Sequence, residues 1–101
     1  MDNDFGFLED YRHRVIKWRD ALLFPADVAV EAVGTFQYWG TRLLGIDVFG
    51  AGADDGYKYL DEKCLDFSQK EYWDYSAQEL CEIAVEHIQS NNEFLFEFIE
   101  P

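Results

Sequence analysis

The chain has 101 residues, of which 8 are Lys or Arg and 21 are Asp or Glu, so its formal net charge at pH 7 is -13. A hydrophobic content of 49% with 18% aromatic residues is too apolar for an acidic disordered segment and predicts a single folded domain over residues 1–101. The charge disfavours direct binding to nucleic acid or to an anionic membrane, because both interactions draw affinity from Lys and Arg.

Targeting and redox signals are few. The first ten residues carry acids where a secretory signal would carry bases, and no apolar run approaches about 18 residues, which predicts a cytoplasmic protein. Cys64 and Cys81 are interpreted as free thiols, because a chain with a plausible apolar core does not depend on a disulfide. Neither cysteine has the spacing from His87 that zinc sites use, so we expect no metal and no other cofactor.

The negative charge lies mostly in the C-terminal part of the chain. Residues 1–42 contain five bases and seven acids, a net charge of -2, whereas residues 43–101 contain three bases and fourteen acids, a net charge of -11. Because no Pro/Gly/Ser-rich linker separates the two parts, this pattern indicates one charge-polarised domain.

Apolar residues in the first half recur at offsets of three and four, which predicts two amphipathic helices. The first helix is predicted over residues 5–23. Its apolar stripe consists of Leu8, Tyr11, Val15, Trp18 and Leu22. Pro25 suits the first turn of the second helix, and Gly45 is a good residue for ending it.

The middle of the chain predicts turns and short strands. The Gly-rich segment 50–56 is interpreted as a turn or loop. Short alternating patterns at 57–60, 64–67 and 72–75 predict small strands.

The C-terminal part carries the clearest local signals. Ser76 and Glu79 form a capping box, which predicts a third helix over about 77–90. Aromatic residues at every second position from Phe94 favour a terminal strand, although a helix also fits this segment. The whole pattern predicts an α+β fold that is predominantly helical, with about three helices and a few short antiparallel strands.

None of the catalytic or ligand-binding motifs that we compared with the chain matches it. The two histidines, His13 and His87, lie in no recognisable triad setting. A calcium loop counted from Asp54 fails, because its sixth position is Tyr59 and its twelfth is Leu65. With fourteen acids in residues 43–101, any single carboxylate pair is weak evidence for glycosidase chemistry. We therefore expect no enzymatic activity.

An acidic segment with interleaved aromatic residues is the candidate partner-binding surface. Tyr and Trp are enriched among interface anchors, and clustered negative charge steers a basic partner. The candidate residues are Asp54, Asp55, Tyr57, Tyr59, Asp61, Glu62, Asp66, Glu71, Tyr72, Trp73 and Asp74. The alternative is that the aromatic residues belong to the core and that the acids form a solvated face.

Three stretches of the chain resemble a known family. The run from Gly45 to Tyr57, an acidic stretch and the later run Leu80-Cys-Glu-Ile-Ala together resemble immunity proteins of contact-dependent growth inhibition systems. The residues that carry this resemblance are Gly52, Ala53, Asp54, Asp55 and Tyr57. The resemblance implies a non-catalytic cytoplasmic protein that binds a ribonuclease toxin and blocks its active site or substrate surface.

Three functional hypotheses follow. The first is an immunity protein that binds a basic nuclease toxin through the acidic surface and is a monomer when free. The second is a phage-type anti-defence protein that mimics nucleic acid and inhibits a restriction or CRISPR nuclease. The third is a subunit of a larger complex, which predicts an exposed apolar face around Phe94, Phe96 and Phe98.

Overall fold

A computed structural model of the chain describes residues 11 and 13–100. In this part of the chain, two α-helices pack against each other and share one apolar core with a six-stranded antiparallel sheet. The α+β class is therefore confirmed. The prediction of a predominantly helical fold with about three helices is wrong, because the described residues contain two helices beside an extensive sheet.

The first described elements are strands. β1 (Ile16–Trp18) and β2 (Ala21–Pro25) form an antiparallel hairpin, so the predicted helix is wrong over these residues; residues 5–10 lie outside the described part. The turn is closed by Arg19, whose φ of 57° is in the left-handed region. β-branched and aromatic residues favour strands, and pairing with a neighbouring strand outweighs the helical spacing.

The second predicted helix exists but is shorter than predicted. α1 (Ala26–Trp39) begins directly after Pro25, which is its N-terminal cap and the last residue of β2. The helix ends at Gly40, not near Gly45, because Gly40 adopts a φ of 67° and donates its N–H to the carbonyl of Gln37. Glycine takes this left-handed conformation without the clash that a Cβ would cause.

The central strand, β3 (Gly45–Ala51), was not predicted. Its residues overlap the start of the segment interpreted as a loop, and the turn itself is confined to residues 52–56. That turn leads into β4 (Tyr57–Tyr59), which pairs with the C-terminal half of β3.

β5 (Leu65–Asp66) pairs with the N-terminal end of β3, on the same side as β4. A 3-10 turn, Asp61–Lys63, separates the two short strands, so together they form an interrupted edge. The strands predicted at 57–60 and 64–67 are thus confirmed in shortened form. The strand predicted at 72–75 is wrong, because a 3-10 turn at Lys70–Tyr72 and successive turn hydrogen bonds occupy this segment.

The helix and the strand predicted for the C-terminal part are both confirmed. α2 (Ala77–Ser90) begins with the capping box, in which Ser76 Oγ accepts from the N–H of Glu79 and a Glu79 carboxylate oxygen accepts from the N–H of Ser76. β6 (Leu95–Ile99) is a strand, as its alternation predicts, and it lies between β2 and β3. The strand order is β1-β2-β6-β3-β4, with β5 also on β3.

The two faces of the sheet differ in composition. On the helix-covered face, Ile46 is opposite Phe98 and Val48 is opposite Phe96, and all four side chains lie in the core. Because Phe96 and Phe98 are buried, the apolar face predicted by the subunit hypothesis is not exposed. The opposite face, here called the outer face, carries Asp47, Phe49, Leu95, Glu97 and Ile99, all half-buried.

The sheet curls towards this outer face. Trp18 of β1 and Tyr57 of β4 belong to strands at opposite edges, yet their ring centroids are 5.3 Å apart in an edge-to-face contact. A contact between the two edge strands requires strong curvature, so the outer face is concave.

Candidate functional site

The first candidate residues, Asp54 and Asp55, form the tip of the β3–β4 hairpin. Both are exposed, and their φ angles are 56° and 62°. Gly56 closes the turn by donating its N–H to the carbonyl of Ala53. Hairpin turns of this kind need two residues with positive φ, which Asp tolerates better than most side chains. The acidic pair therefore has a conformational role in addition to its charge.

Two of the candidate tyrosines are packing residues. Tyr57 is half-buried against Trp18, and Tyr72 is half-buried against Phe67, with ring centroids 5.1 Å apart. Burial raises the pKa of Tyr72. For these two residues the interpretation as core aromatics describes the structure better than the interpretation as free interface anchors.

Three other candidates, Tyr59, Asp61 and Asp66, come together around a cleft of about 330 Å³ at the interrupted edge. Apolar side chains from β5, from β6 and from the residue before β3 form part of its wall. The full lining is Leu44, Gly45, Asp47, Tyr59, Asp61, Cys64, Leu65, Asp66 and Ile99. Below, this feature is called the edge cleft.

The edge cleft exists because the outermost strand is broken. Between β4 and β5, one backbone bond remains, from the N–H of Leu60 to the carbonyl of Val48. The N–H of Val48 instead donates to a side chain, Cys64 Sγ, at 3.2 Å. The Cys64 thiol in turn donates to the carbonyl of Leu60 at 3.3 Å. A half-buried thiol thus satisfies a backbone donor that strand pairing leaves free.

Two carboxylates lie side by side on the outer face. Asp47 of β3 is directly opposite Glu97 of β6, and residues opposite each other in an antiparallel pair have Cβ atoms about 4.5–5.5 Å apart. Burial raises the pKa of both groups, and the Asp47 charge raises the pKa of Glu97 further. Hydrogen bonding from Cys64 and Tyr59 opposes the rise at Asp47, whereas the charges of Asp61 and Asp66 add to it.

Asp66 links the edge cleft to the exposed aromatic Trp73. Asp66 accepts hydrogen bonds from the N–H and hydroxyl of Ser68 and from the side chain of Gln69, and these bonds lower the pKa of Asp66. The carbonyl of Ser68 accepts from Trp73 Nε1 at 3.0 Å. The Trp73 indole is held at the margin of the site although 66% of it is exposed.

The remaining candidates, Glu62, Glu71 and Asp74, are exposed. Arg42 organises the backbone near Asp74 by donating to the carbonyls of Tyr72 and Tyr75. Among residues 11 and 13–100, no ion pair joins a carboxylate of the segment 54–75. The ion pair that this part of the chain does show joins Arg14 to Glu31, at 2.7 Å. Lys58, Lys63 and Lys70 offset part of the acidic segment's negative charge, but in this part of the chain none of them forms an ion pair with its carboxylates.

The sequence-based prediction missed Asp47 and Glu97, the two half-buried carboxylates of the outer face. The signal was present in the alternation of Ile46, Asp47 and Val48, in which one polar residue stands between two apolar ones. Because the second helix was predicted to end near Gly45, residues 46–49 were not interpreted as a strand.

The histidine and cysteines considered for a zinc site occupy different settings in the fold. Cys81 is buried in the core, Cys64 is at the edge of the sheet, and both are free thiols. His87 Nε2 is 2.6 Å from the carbonyl of Lys63 and ties α2 to the turn beside the edge cleft. In the described part of the chain, no group of three or more His, Cys, Asp or Glu side chains is placed to hold a metal ion.

Comparison with protein-family models and with characterised proteins finds no match to this chain. The two helices that the structure describes are too short to cross a membrane, and the part of the chain it covers holds no other candidate span.

Proposed function

We propose that this chain is an immunity protein that binds and neutralises a basic nuclease toxin in the cytoplasm of the producing cell. The single observation that carries the proposal is the acidic segment at the interrupted edge of the sheet, whose carboxylates form no ion pair within the described residues. Its carboxylates would occupy positions where a basic nuclease holds the phosphates of its RNA substrate.

The arrangement of exposed groups supports binding to a protein. Trp73 is 66% exposed and Tyr59 is 47% exposed, and each lies beside exposed carboxylates. Large aromatic residues surrounded by polar groups are typical of the centre of protein interfaces. A surface that served only to keep the protein dissolved would not need a tryptophan held in place by a hydrogen bond to Ser68.

Co-expression with the product of the gene immediately upstream tests the proposal. The purified upstream protein is assayed for ribonuclease activity with increasing amounts of this chain. We expect stoichiometric inhibition and an association rate that falls as salt is raised, because surface charges steer the encounter. No inhibition of the upstream protein, together with inhibition of a restriction or CRISPR nuclease, would instead favour nucleic-acid mimicry.

The hairpin tip provides a variant that separates charge from fold. Replacing Asp54 and Asp55 together by Asn removes two charges but keeps side chains that tolerate positive φ. We expect a slower association with the toxin and an unchanged thermal midpoint. Replacing Glu86 and Glu93 by Gln removes the same charge elsewhere on the exposed surface and serves as the matched control.

A further inference from the structure

We propose that the edge cleft binds an arginine side chain, supplied by the basic protein partner. This inference rests on the proposed function and deepens it, because it names the group of the partner that docks and the place where it docks. The immunity hypothesis itself requires only an acidic surface and specifies no pocket.

The shape of the edge cleft suits one long side chain. Its volume of about 330 Å³ is at the lower end of ligand pockets, which span roughly 300–1,000 Å³. Leu44 and Ile99 supply apolar wall at one side, and Leu44 is 36% exposed. An apolar surface of this kind covers the methylene stem of a long cationic side chain.

The charge of the edge cleft determines the sign of its occupant. Asp47, Asp61 and Asp66 all line it, and none of them forms an ion pair with a cation in the described residues. Asp47 also faces Glu97 across the β3–β6 ladder. Like charges placed opposite each other destabilise a sheet, and a cation bound in the edge cleft beside Asp47 would reduce that repulsion. The occupant must therefore be positive.

The aromatic wall favours arginine over lysine. The ring of Tyr59 is 47% exposed and packs edge-to-face against its cross-strand partner Phe49, with centroids 5.6 Å apart. A guanidinium is planar, stacks on aromatic faces and binds carboxylates through paired N–H donors, whereas an ammonium is a compact, strongly hydrated point charge. A cleft with one exposed ring and three carboxylates matches the first geometry.

A titration of the isotopically labelled chain with N-acetyl-arginine amide, followed by backbone NMR shifts, tests the proposal. We expect saturable shifts confined to the lining of the edge cleft. Asp47→Asn should weaken binding by about threefold or more, the upper part of the range for partly exposed ion pairs. The free energy of unfolding of this variant is measured beside its affinity, so that weaker binding is separated from a loss of fold. Glu86→Gln, the same charge change on the exposed surface of α2, should leave the affinity unchanged.

A second pair of variants tests the aromatic wall. Tyr59→Phe keeps the ring and should retain binding, whereas Tyr59→Leu should weaken it. Shifts spread over the whole acidic surface, or equal affinity for N-acetyl-lysine amide, would overturn the proposal.

The proposed function can fail independently of the edge cleft. If the toxin is inhibited equally well by the Asp47→Asn variant, the immunity role stands and the arginine site is wrong. If the edge cleft binds arginine but no upstream nuclease is inhibited, the site stands and the immunity role is wrong.

Discussion

The two faces of the sheet are built from the same strands but have opposite properties. On the helix-covered face, Val48 and Phe96 are fully buried. Asp47 and Glu97 are their neighbours in the two strands and lie on the outer face. Both are half-buried carboxylates, and burial raises their pKa values. The first face gains stability from apolar contact, whereas the carboxylate pair of the second loses some of it to desolvation and repulsion.

This difference separates the part of the molecule that determines the fold from the part that we propose binds. Residues on the helix-covered face are explained by packing alone. Packing does not explain the two adjacent acids, Asp47 and Glu97, on the concave outer face. Sites that bind ligands commonly retain groups that are unfavourable in the free protein. The outer face therefore carries the stronger evidence for function.

The largest expected effect is on the helix-covered face. Phe96→Ala removes a fully buried ring and should lower the free energy of unfolding by about 3–5 kcal/mol. Leu95→Ala, at the neighbouring half-buried position on the outer face, should cost clearly less. Urea denaturation of both variants measures the contrast, and equal losses would contradict a fold carried by one face.

A smaller loss is expected where β5 approaches β3. A Cβ at Gly45 would lie 2.6 Å from the carbonyl oxygen of Leu65, so Gly45→Ala forces the interrupted edge to move, at roughly 1–3 kcal/mol. Because Leu65 lines the edge cleft, the variant should also weaken arginine binding. Thermal unfolding and the NMR titration together test this; unchanged stability would show that β5 moves freely.

A gain is expected on the solvent side of α1. A Cβ at Gly34 would meet nothing within 4 Å, and glycine inside a helix costs stability, so Gly34→Ala should stabilise the protein by about 0.4–1 kcal/mol. Arginine binding should not change, since the residue lies on neither face of the sheet. A lower urea midpoint in this variant would contradict the helix assignment at this position.

The smallest effect is the pH dependence of the outer face. A carboxyl group with a raised folded-state pKa contributes stability below its ordinary pKa, 3.8 for Asp47, and this contribution is lost as pH rises through the folded-state pKa. At neutral pH, Asp47→Asn should therefore be more stable than the wild type by roughly 0.2–1 kcal/mol.

Urea midpoints of both proteins across the acidic to neutral range check this sign. Below the ordinary pKa the two midpoints should converge, because Asp47 is then protonated in the wild type as well. A gap that widens as the pH falls would show that the Asp47 charge stabilises the fold.

Local signals explain which elements were predictable. α2 has its capping box within four residues of sequence, and β6 has aromatic residues at a strict period of two, so both were predicted correctly. The β1–β2 hairpin was predicted wrongly, because the spacing of Val15, Trp18 and Leu22 fits a helix until pairing between strands is known.

The candidate site was predictable only in part for the same reason. Tyr59, Asp61 and Asp66 were identified from composition, and they line the edge cleft. The pairing of Asp47 with Glu97 depends on the register of β3 against β6, two strands far apart in the chain. The periodicity of the sequence does not specify the register between distant strands. The pairing of the two carboxylates on the outer face therefore could not be predicted from it.

The most direct test of the central claim measures two quantities on Asp47→Asn at neutral pH: the free energy of unfolding and the affinity for N-acetyl-arginine amide. If the outer face retains its carboxylates for binding at the expense of stability, the variant should unfold less readily and bind more weakly. A variant that loses stability while keeping its affinity would contradict this account and would make Asp47 a structural residue.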